Sequence, residues 1–111
     1  MARSERANEI KRMIEEKYAQ YTAASDAIWA TPELFFHEDK SAKVLIELAQ
    51  KEGFKVEVGM AGMPTAHIAT WGSGKPVIGF LGEFDALPNL SQEACNPVHT
   101  PVIEGAPGHG C

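Results

Sequence analysis

The sequence predicts an α/β fold in which two helices are followed by three strands and a long loop. In the first half of the chain, apolar residues recur every three or four positions, as they do on one face of a helix. Two short apolar stretches rich in strand-forming residues follow, and residues 77–81 then form a continuous apolar run. Such a run is typical of a strand that is covered on both faces in the middle of an α/β sheet.

Two stretches with helical periodicity open the chain. Residues 5–30 are predicted to form the first helix, with Ser4 as its N-cap and with Pro32 ending the pattern. Its apolar stripe, which we expect to face the core, comprises Ile10, Met13, Ile14, Tyr18, Tyr21 and Ile28. Residues 41–52 are predicted to form the second helix, which Gly53 ends. Its expected buried face comprises Val44, Leu45, Leu48 and Ala49.

Three predicted strands and a long loop make up the rest. Residues 54–58 alternate between apolar and polar side chains, residues 65–71 follow after a turn, and the run 77–81 is the predicted central strand. Residues 88–111 contain four prolines and three glycines and show no periodicity, which indicates a loop. A central strand needs neighbours on both sides, so we expect this chain to be part of a larger domain.

Composition excludes several classes of protein. The 111 residues carry a net charge of −5, which argues against a nucleic-acid-binding surface because such surfaces are basic. No apolar run approaches the roughly 20 residues that a membrane helix needs, and the charged N-terminus lacks a signal-peptide core. We therefore expect a cytoplasmic protein with no membrane partner. Two cysteines do not indicate a disulfide scaffold.

Two short segments carry candidate functional groups. Glu83 and Asp85 are two positions apart at the end of the predicted central strand, so their side chains point to one face where α/β sheets bind ligands. The alternative is a solvated acidic turn. His109 and Cys111 lie among glycines near the end of the loop, and imidazole, thiolate and carboxylate together are the ligands of zinc. A Cys–His nucleophilic pair is a further alternative, although no third group orients it.

The two segments together resemble a known family. Leu81-Gly82-Glu83-Phe84-Asp85-Ala86-Leu87-Pro88, followed by Gly108-His109-Gly110-Cys111, resembles the metal-dependent aminoacylase and carboxypeptidase family of amidohydrolases, most of all its aminobenzoyl-glutamate branch. The resemblance implies that residues 1–111 are the N-terminal portion of a zinc-peptidase-like catalytic domain, without the lid domain of the family. It also implies hydrolysis of the amide bond in an N-acyl amino acid, with p-aminobenzoyl-glutamate among the candidates.

The resemblance assigns roles to three residues. Cys111 matches a ligand of a site with two divalent ions, zinc, manganese or similar, and Asp85 matches an aspartate that orients a ligand. Glu83 stands where the carboxypeptidase branch has a ligand histidine, so it would bind metal or shape the site. His109 is a further candidate ligand through the chemistry of its imidazole alone. The general base and the remaining ligands would lie outside these 111 residues. We therefore expect the chain alone to be inactive.

Other functions are compatible with the same residues. The chain would also serve as a non-catalytic half-domain that pairs with another polypeptide, or as a small metal-binding protein that uses Cys111, His109 and acidic residues. The expected partners are a small-molecule N-acyl amino acid and either further copies of the chain or a complementary chain.

Overall fold

The computed structural model describes residues 3–111. Helix α1 spans Arg3–Trp29, helix α2 spans Asp39–Lys51, and strands β1 (Lys55–Val58) and β2 (His67–Thr70) follow. A short 3₁₀ turn, Met60–Gly62, lies between the strands. The two strands form an antiparallel sheet, and α2 packs against α1 and both strands. The predicted α/β class and the two helices are confirmed.

The connection between α1 and α2 is fixed by two glutamates. The Glu33 carboxylate accepts hydrogen bonds from the backbone N–H groups of Lys40 and Ser41, at distances from 2.8 to 3.1 Å. This places a negative charge at the positive end of α2, where free N–H groups need acceptors. Glu38 is buried, and its carboxylate accepts a 2.7 Å hydrogen bond from the Thr65 hydroxyl. The start of α2 is thereby tied to the segment that leads into β2.

A polar contact joins the two helices. Lys17 of α1 donates to the carboxylate of Glu52, which directly follows α2, and Gln20 donates a second hydrogen bond of 3.0 Å to the same carboxylate. The Lys17 hydrogen bond lowers the pKa of Glu52 and raises the pKa of Lys17.

The expected core position of the α1 stripe is wrong. Five of its six members are exposed, and only Ile28 is half-buried. The physical reason is that α2 is about half as long as α1. The first turns of α1 therefore have no helix or strand beside them among residues 3–111. The expected buried face of α2 does face the rest of the fold. All four of its residues are half-buried, and the neighbouring Ala42 is buried.

The predicted central strand is also wrong for the described part of the chain. Residues 77–81 run without a turn or bend, but they form no ladder and no backbone hydrogen bond to residues 3–111. Val77, Phe80 and Leu81 are 86%, 96% and 94% exposed. A strand requires a partner for its N–H and C=O groups, and neither β1, β2 nor any other described segment lies alongside residues 77–81 to supply one. The long loop predicted for residues 88–111 contains no helix or ladder, as expected.

No helix among residues 3–111 has the length and apolar character to cross a membrane.

Candidate functional site

The most buried residue of the Asp-Ala-Leu-Pro segment, Ala86, lies where three parts of the chain meet. Its N–H donates a 2.8 Å hydrogen bond to the Glu33 carbonyl, and its side chain is fully buried. The next residue, Leu87, donates to the Gly108 carbonyl at 3.0 Å and accepts from the Gly108 N–H at 3.1 Å. We call these contacts the Ala86 junction. It fixes the backbone on the C-terminal side of Asp85 between the α1–α2 connection and the end of the long loop.

Glycine is required at the loop side of the junction. A Cβ atom on Gly108 would lie 2.2 Å from the Leu90 carbonyl oxygen, and one on Gly110 would lie 2.7 Å from the same oxygen. The N–H of Gly110 donates a 3.1 Å hydrogen bond to that carbonyl. The absence of side chains at positions 108 and 110 thus lets this segment lie directly against residues 90–92.

A hydrogen-bond network holds the middle of the long loop. The Gln92 side chain accepts from the Thr100 N–H at 2.8 Å and donates to the Val98 and Asn96 carbonyls at 2.8 and 3.1 Å. Glu93 adds a backbone hydrogen bond to the Thr100 carbonyl at 3.0 Å. The loop is therefore ordered by its own polar groups although it has no regular secondary structure.

An open cleft of about 400 Å³ lies between this network and the end of α1. Its lining comprises Trp29, Gln92, Glu93, Cys95, Asn96, Pro97, His109, Gly110 and Cys111. The rings of Trp29 and His109 are 6.4 Å apart, and His109 Nε2 is buried without a hydrogen-bond partner. A buried imidazole nitrogen without a partner is a group able to bind a proton donor, an acceptor or a metal ion. His109 and Cys111 are therefore brought to one cleft, in line with their spacing in the sequence.

The acidic pair lies apart from that lining. Asp85 is half-buried and Glu83 is exposed, and neither lines the cleft. Phe84, between them, contacts His67 of β2 in a tilted ring arrangement, with ring centroids 5.7 Å apart. Asp85 is two residues from Leu87 and Cys111 is three residues from Gly108, so the Leu87–Gly108 hydrogen bonds are the structural link between the acidic and thiol segments.

The residues present do not make a complete metal site by themselves. Residues 3–111 contain no group of three or more histidine, cysteine, aspartate or glutamate side chains that is arranged to hold a metal ion. The fit to a metal site is thus limited to single donors. Those lining the cleft are the exposed thiols of Cys95 and Cys111, the carboxylate of Glu93 and the buried Nε2 of His109.

Trp29, Glu33 and Cys95 contribute to this region, but the sequence does not predict them as site residues. The sequence patterns indicate only that Trp29 covers the end of α1 and that Glu33 belongs to a connecting loop, and they give Cys95 no role. Trp29 and Cys95 line the cleft, and Glu33 positions Ala86 through its carbonyl while its carboxylate caps α2. A glutamate seven residues before the N–H group that it caps gives no local signal of capping, because the usual pattern places the capping side chain next to the helix.

No protein-family model matches the chain. The chain is 45% identical over 98 residues to a p-aminobenzoyl-glutamate hydrolase subunit of Escherichia coli (strain K12). The resemblance expected from the motifs is confirmed. The match covers 88% of this chain and 20% of the E. coli protein, so the chain spans about a fifth of the length of that relative. Since 98 residues are matched, the similarity is not confined to the two motifs.

Proposed function

We propose that this chain supplies part of the catalytic domain of an amide-bond hydrolase that acts on N-acyl amino acids. The observation that carries the proposal is the 45% identity to a protein named as a p-aminobenzoyl-glutamate hydrolase subunit. The Ala86 junction supports it, because the two motifs of the resemblance are joined there by a pair of backbone hydrogen bonds. On this proposal p-aminobenzoyl-glutamate is the first substrate to test.

The proposal gives each site residue a limited role. Cys111 would provide one thiolate ligand to a divalent ion, and Asp85 would orient a ligand from its fixed position next to Ala86. Glu83 would shape the site or bind metal, and His109 would be an added ligand through Nε2. The remaining ligands and the general base would come from residues outside these 111. When bound, such ions activate water and polarise the carbonyl of an amide.

The competing functions differ in what supports them. A small independent metal-binding protein is disfavoured, because residues 3–111 present no group of three donors. Pairing with another chain is compatible with the exposed apolar run 77–81 and with a relative that is named as a subunit. The cytoplasmic location expected from the sequence stays a prediction.

A chimera tests the proposal directly. All 111 residues of this chain replace the corresponding N-terminal segment of the E. coli protein, and release of p-aminobenzoate is measured with the rest of the E. coli enzyme present. We expect activity from the chimera and a loss of at least about 10-fold in kcat for Cys111→Ala and for Asp85→Asn, since even the removal of a group that orients a metal ligand has effects of this size. Glu104→Gln, an exposed acid outside the cleft, is the matched control.

Two results would contradict the proposal. One is a correctly folded chimera that hydrolyses no N-acyl amino acid when loaded with zinc or manganese. The other is a chimera whose Cys111→Ala variant retains both its bound metal and its activity.

A further inference from the structure

Asp85 is held from its C-terminal side by the connection between α1 and α2. The Ala86 N–H donates to the Glu33 carbonyl at 2.8 Å, and the Glu33 carboxylate is itself fixed by the N–H groups of Lys40 and Ser41. Ala86 is fully buried, so this contact lies inside the fold. The direction of the Asp85 side chain depends also on the peptide that precedes it, which the Ala86 junction does not restrain.

A second series of contacts starts from the same connection and reaches the residue before Asp85. The buried Glu38 carboxylate accepts a 2.7 Å hydrogen bond from the Thr65 hydroxyl, and the Thr65 carbonyl lies 3.2 Å from His67 Nδ1. A carbonyl oxygen only accepts hydrogen bonds, so Nδ1 carries a proton and donates it. The imidazole is thereby fixed in orientation, and it contacts the ring of Phe84 at a centroid distance of 5.7 Å.

The start of this series is well shielded from water. Glu38 and Thr65 are only 8% and 6% exposed, and a carboxylate at such a position is costly to leave unpaired. The backbone of His67 is fixed separately, because it pairs with Val58 of β1. Glu38 lies five positions after Glu33, so both series of contacts start from one short segment. Every side chain in the second series is at least half-buried, so none of its contacts depends on an exposed surface.

We propose that His67 and Phe84 are positioning residues for Asp85. The inference rests on the proposed function, in which Asp85 orients a ligand of the metal site. The Glu33–Ala86 hydrogen bond holds the peptide that follows Asp85, and the His67–Phe84 ring contact holds the residue that precedes it. We call these two contacts the Asp85 clamp. A backbone held on both sides keeps the carboxylate aimed in one direction, which an orienting group in a metal site requires.

A purely structural role for the ring contact predicts a different pattern of losses. If the contact only stabilised the fold, its removal would lower the free energy of unfolding and leave the kcat of the folded enzyme unchanged. If the contact acts through Asp85, its removal lowers kcat, and the effect disappears when the Asp85 carboxylate is already absent.

Nuclear magnetic resonance relaxation of the 111-residue chain tests the clamp without reference to activity. The order parameter of the Asp85 N–H should be about 0.85, as in rigid backbone, and should fall toward about 0.6 in Phe84→Leu and in His67→Asn, which both remove a ring. Phe84→Tyr keeps the ring and should keep the original value. His99→Asn, at an exposed histidine outside the clamp, is the matched control for His67→Asn.

The chimera with the E. coli protein tests the effect on catalysis. Phe84→Leu should lower kcat about 10-fold or more, the size of effect found for groups that orient metal ligands, and Phe84→Tyr should restore it. The KM should stay within about twofold, because neither ring is expected to touch substrate. In an Asp85→Asn background, Phe84→Leu should lower kcat by less than about twofold.

Two results would overturn the proposal. One is an order parameter of the Asp85 N–H that neither Phe84→Leu nor His67→Asn changes. The other is a loss of kcat from Phe84→Leu that is as large in the Asp85→Asn background as without it. An unmodified chimera without activity would contradict the proposed function instead, and the relaxation measurement would still decide whether the two rings hold Asp85.

Discussion

Leu87 and Gly108 exchange both backbone hydrogen bonds, at 3.0 and 3.1 Å, across 21 positions of the chain. This pair connects the two segments on which the family resemblance rests, and Ala86 beside it is fully buried. The carboxylate of Asp85 belongs to a residue two positions before Leu87, and the thiol of Cys111 belongs to a residue three positions after Gly108. The stability of this contact therefore determines how well the candidate site is organised.

Gly108→Ala should disrupt the Ala86 junction. The new Cβ would lie 2.2 Å from a backbone carbonyl oxygen of Leu90, and backbone atoms on both sides must move to relieve that contact. We expect protection of the Leu87 amide from hydrogen exchange to fall at least about tenfold, as for a contact that opens locally.

Gly82→Ala is the matched control for that variant. A Cβ on Gly82 meets no atom within 4 Å and its φ is not in the left-handed region. It should leave the exchange of the Leu87 amide unchanged. Equal protection in the Gly108→Ala variant and the unmodified chain would show that the close approach at Leu90 does not hold the junction.

Glu33→Ala should destabilise the start of α2. The carboxylate accepts hydrogen bonds from two free N–H groups of the first turn, and its charge lies at the positive end of the helix. Loss of such a cap costs about 1 kcal/mol. Denaturant unfolding followed by circular dichroism measures the change, and Glu47→Ala, which removes an exposed carboxylate paired with Lys43, is the control. A larger effect from Glu47→Ala than from Glu33→Ala would contradict the capping role.

The Lys17–Glu52 contact predicts a pH dependence of helix docking. The pKa of Glu52 is lowered by its hydrogen bond from Lys17. Its contribution to the free energy of unfolding is therefore complete above the ordinary carboxyl pKa of about 4.3, and it is lost as the pH falls through the lowered value. The pKa of Lys17 is raised, so its contribution is complete below about 10.4 and is lost as the pH rises through the raised value.

Glu52→Gln should remove both the loss of stability at low pH and the loss of stability at high pH. The free energy of unfolding of this variant should change less with pH than that of the unmodified chain, both below about pH 4.3 and above about pH 10.4. Glu47→Gln, in an exposed pair on α2, should keep the original profile. If the two variants have the same profile as the unmodified chain, the Lys17–Glu52 pair does not couple protonation to folding.

The sequence is a reliable guide where local patterns decide the structure. Helix α2 is amphipathic over its whole length, and Gly53, with φ of 88°, follows its end as predicted. The alternating residues 55–58 form β1, because a turn brings a second short strand alongside. In each case the partner that satisfies the pattern is close in sequence.

The same patterns fail where the partner is not close in sequence. The stripe on α1 and the run Val77–Leu81 are both correctly described as apolar surfaces, but residues 3–111 supply nothing to cover them. Periodicity indicates which side of an element prefers burial, and it carries no information about what is present to bury it. For the site, the sequence identifies the chemical groups of Asp85 and Cys111, whereas the roles of Gly108 and Glu33 depend on long-range backbone contacts.

The isolated 111-residue chain should neither bind a divalent ion tightly nor hydrolyse N-acyl amino acids. Tight binding of zinc requires about four donors in one place, and residues 3–111 present no group of three. Titration calorimetry with zinc should therefore show only weak binding, changed little by Cys111→Ala, and p-aminobenzoate release should equal that of the buffer. In the chimera the same substitution should abolish tight binding, because other ligands are then present. Tight, Cys111-dependent zinc binding by the isolated chain, or turnover at an enzyme-like rate, would show that these residues form a working site without further ligands.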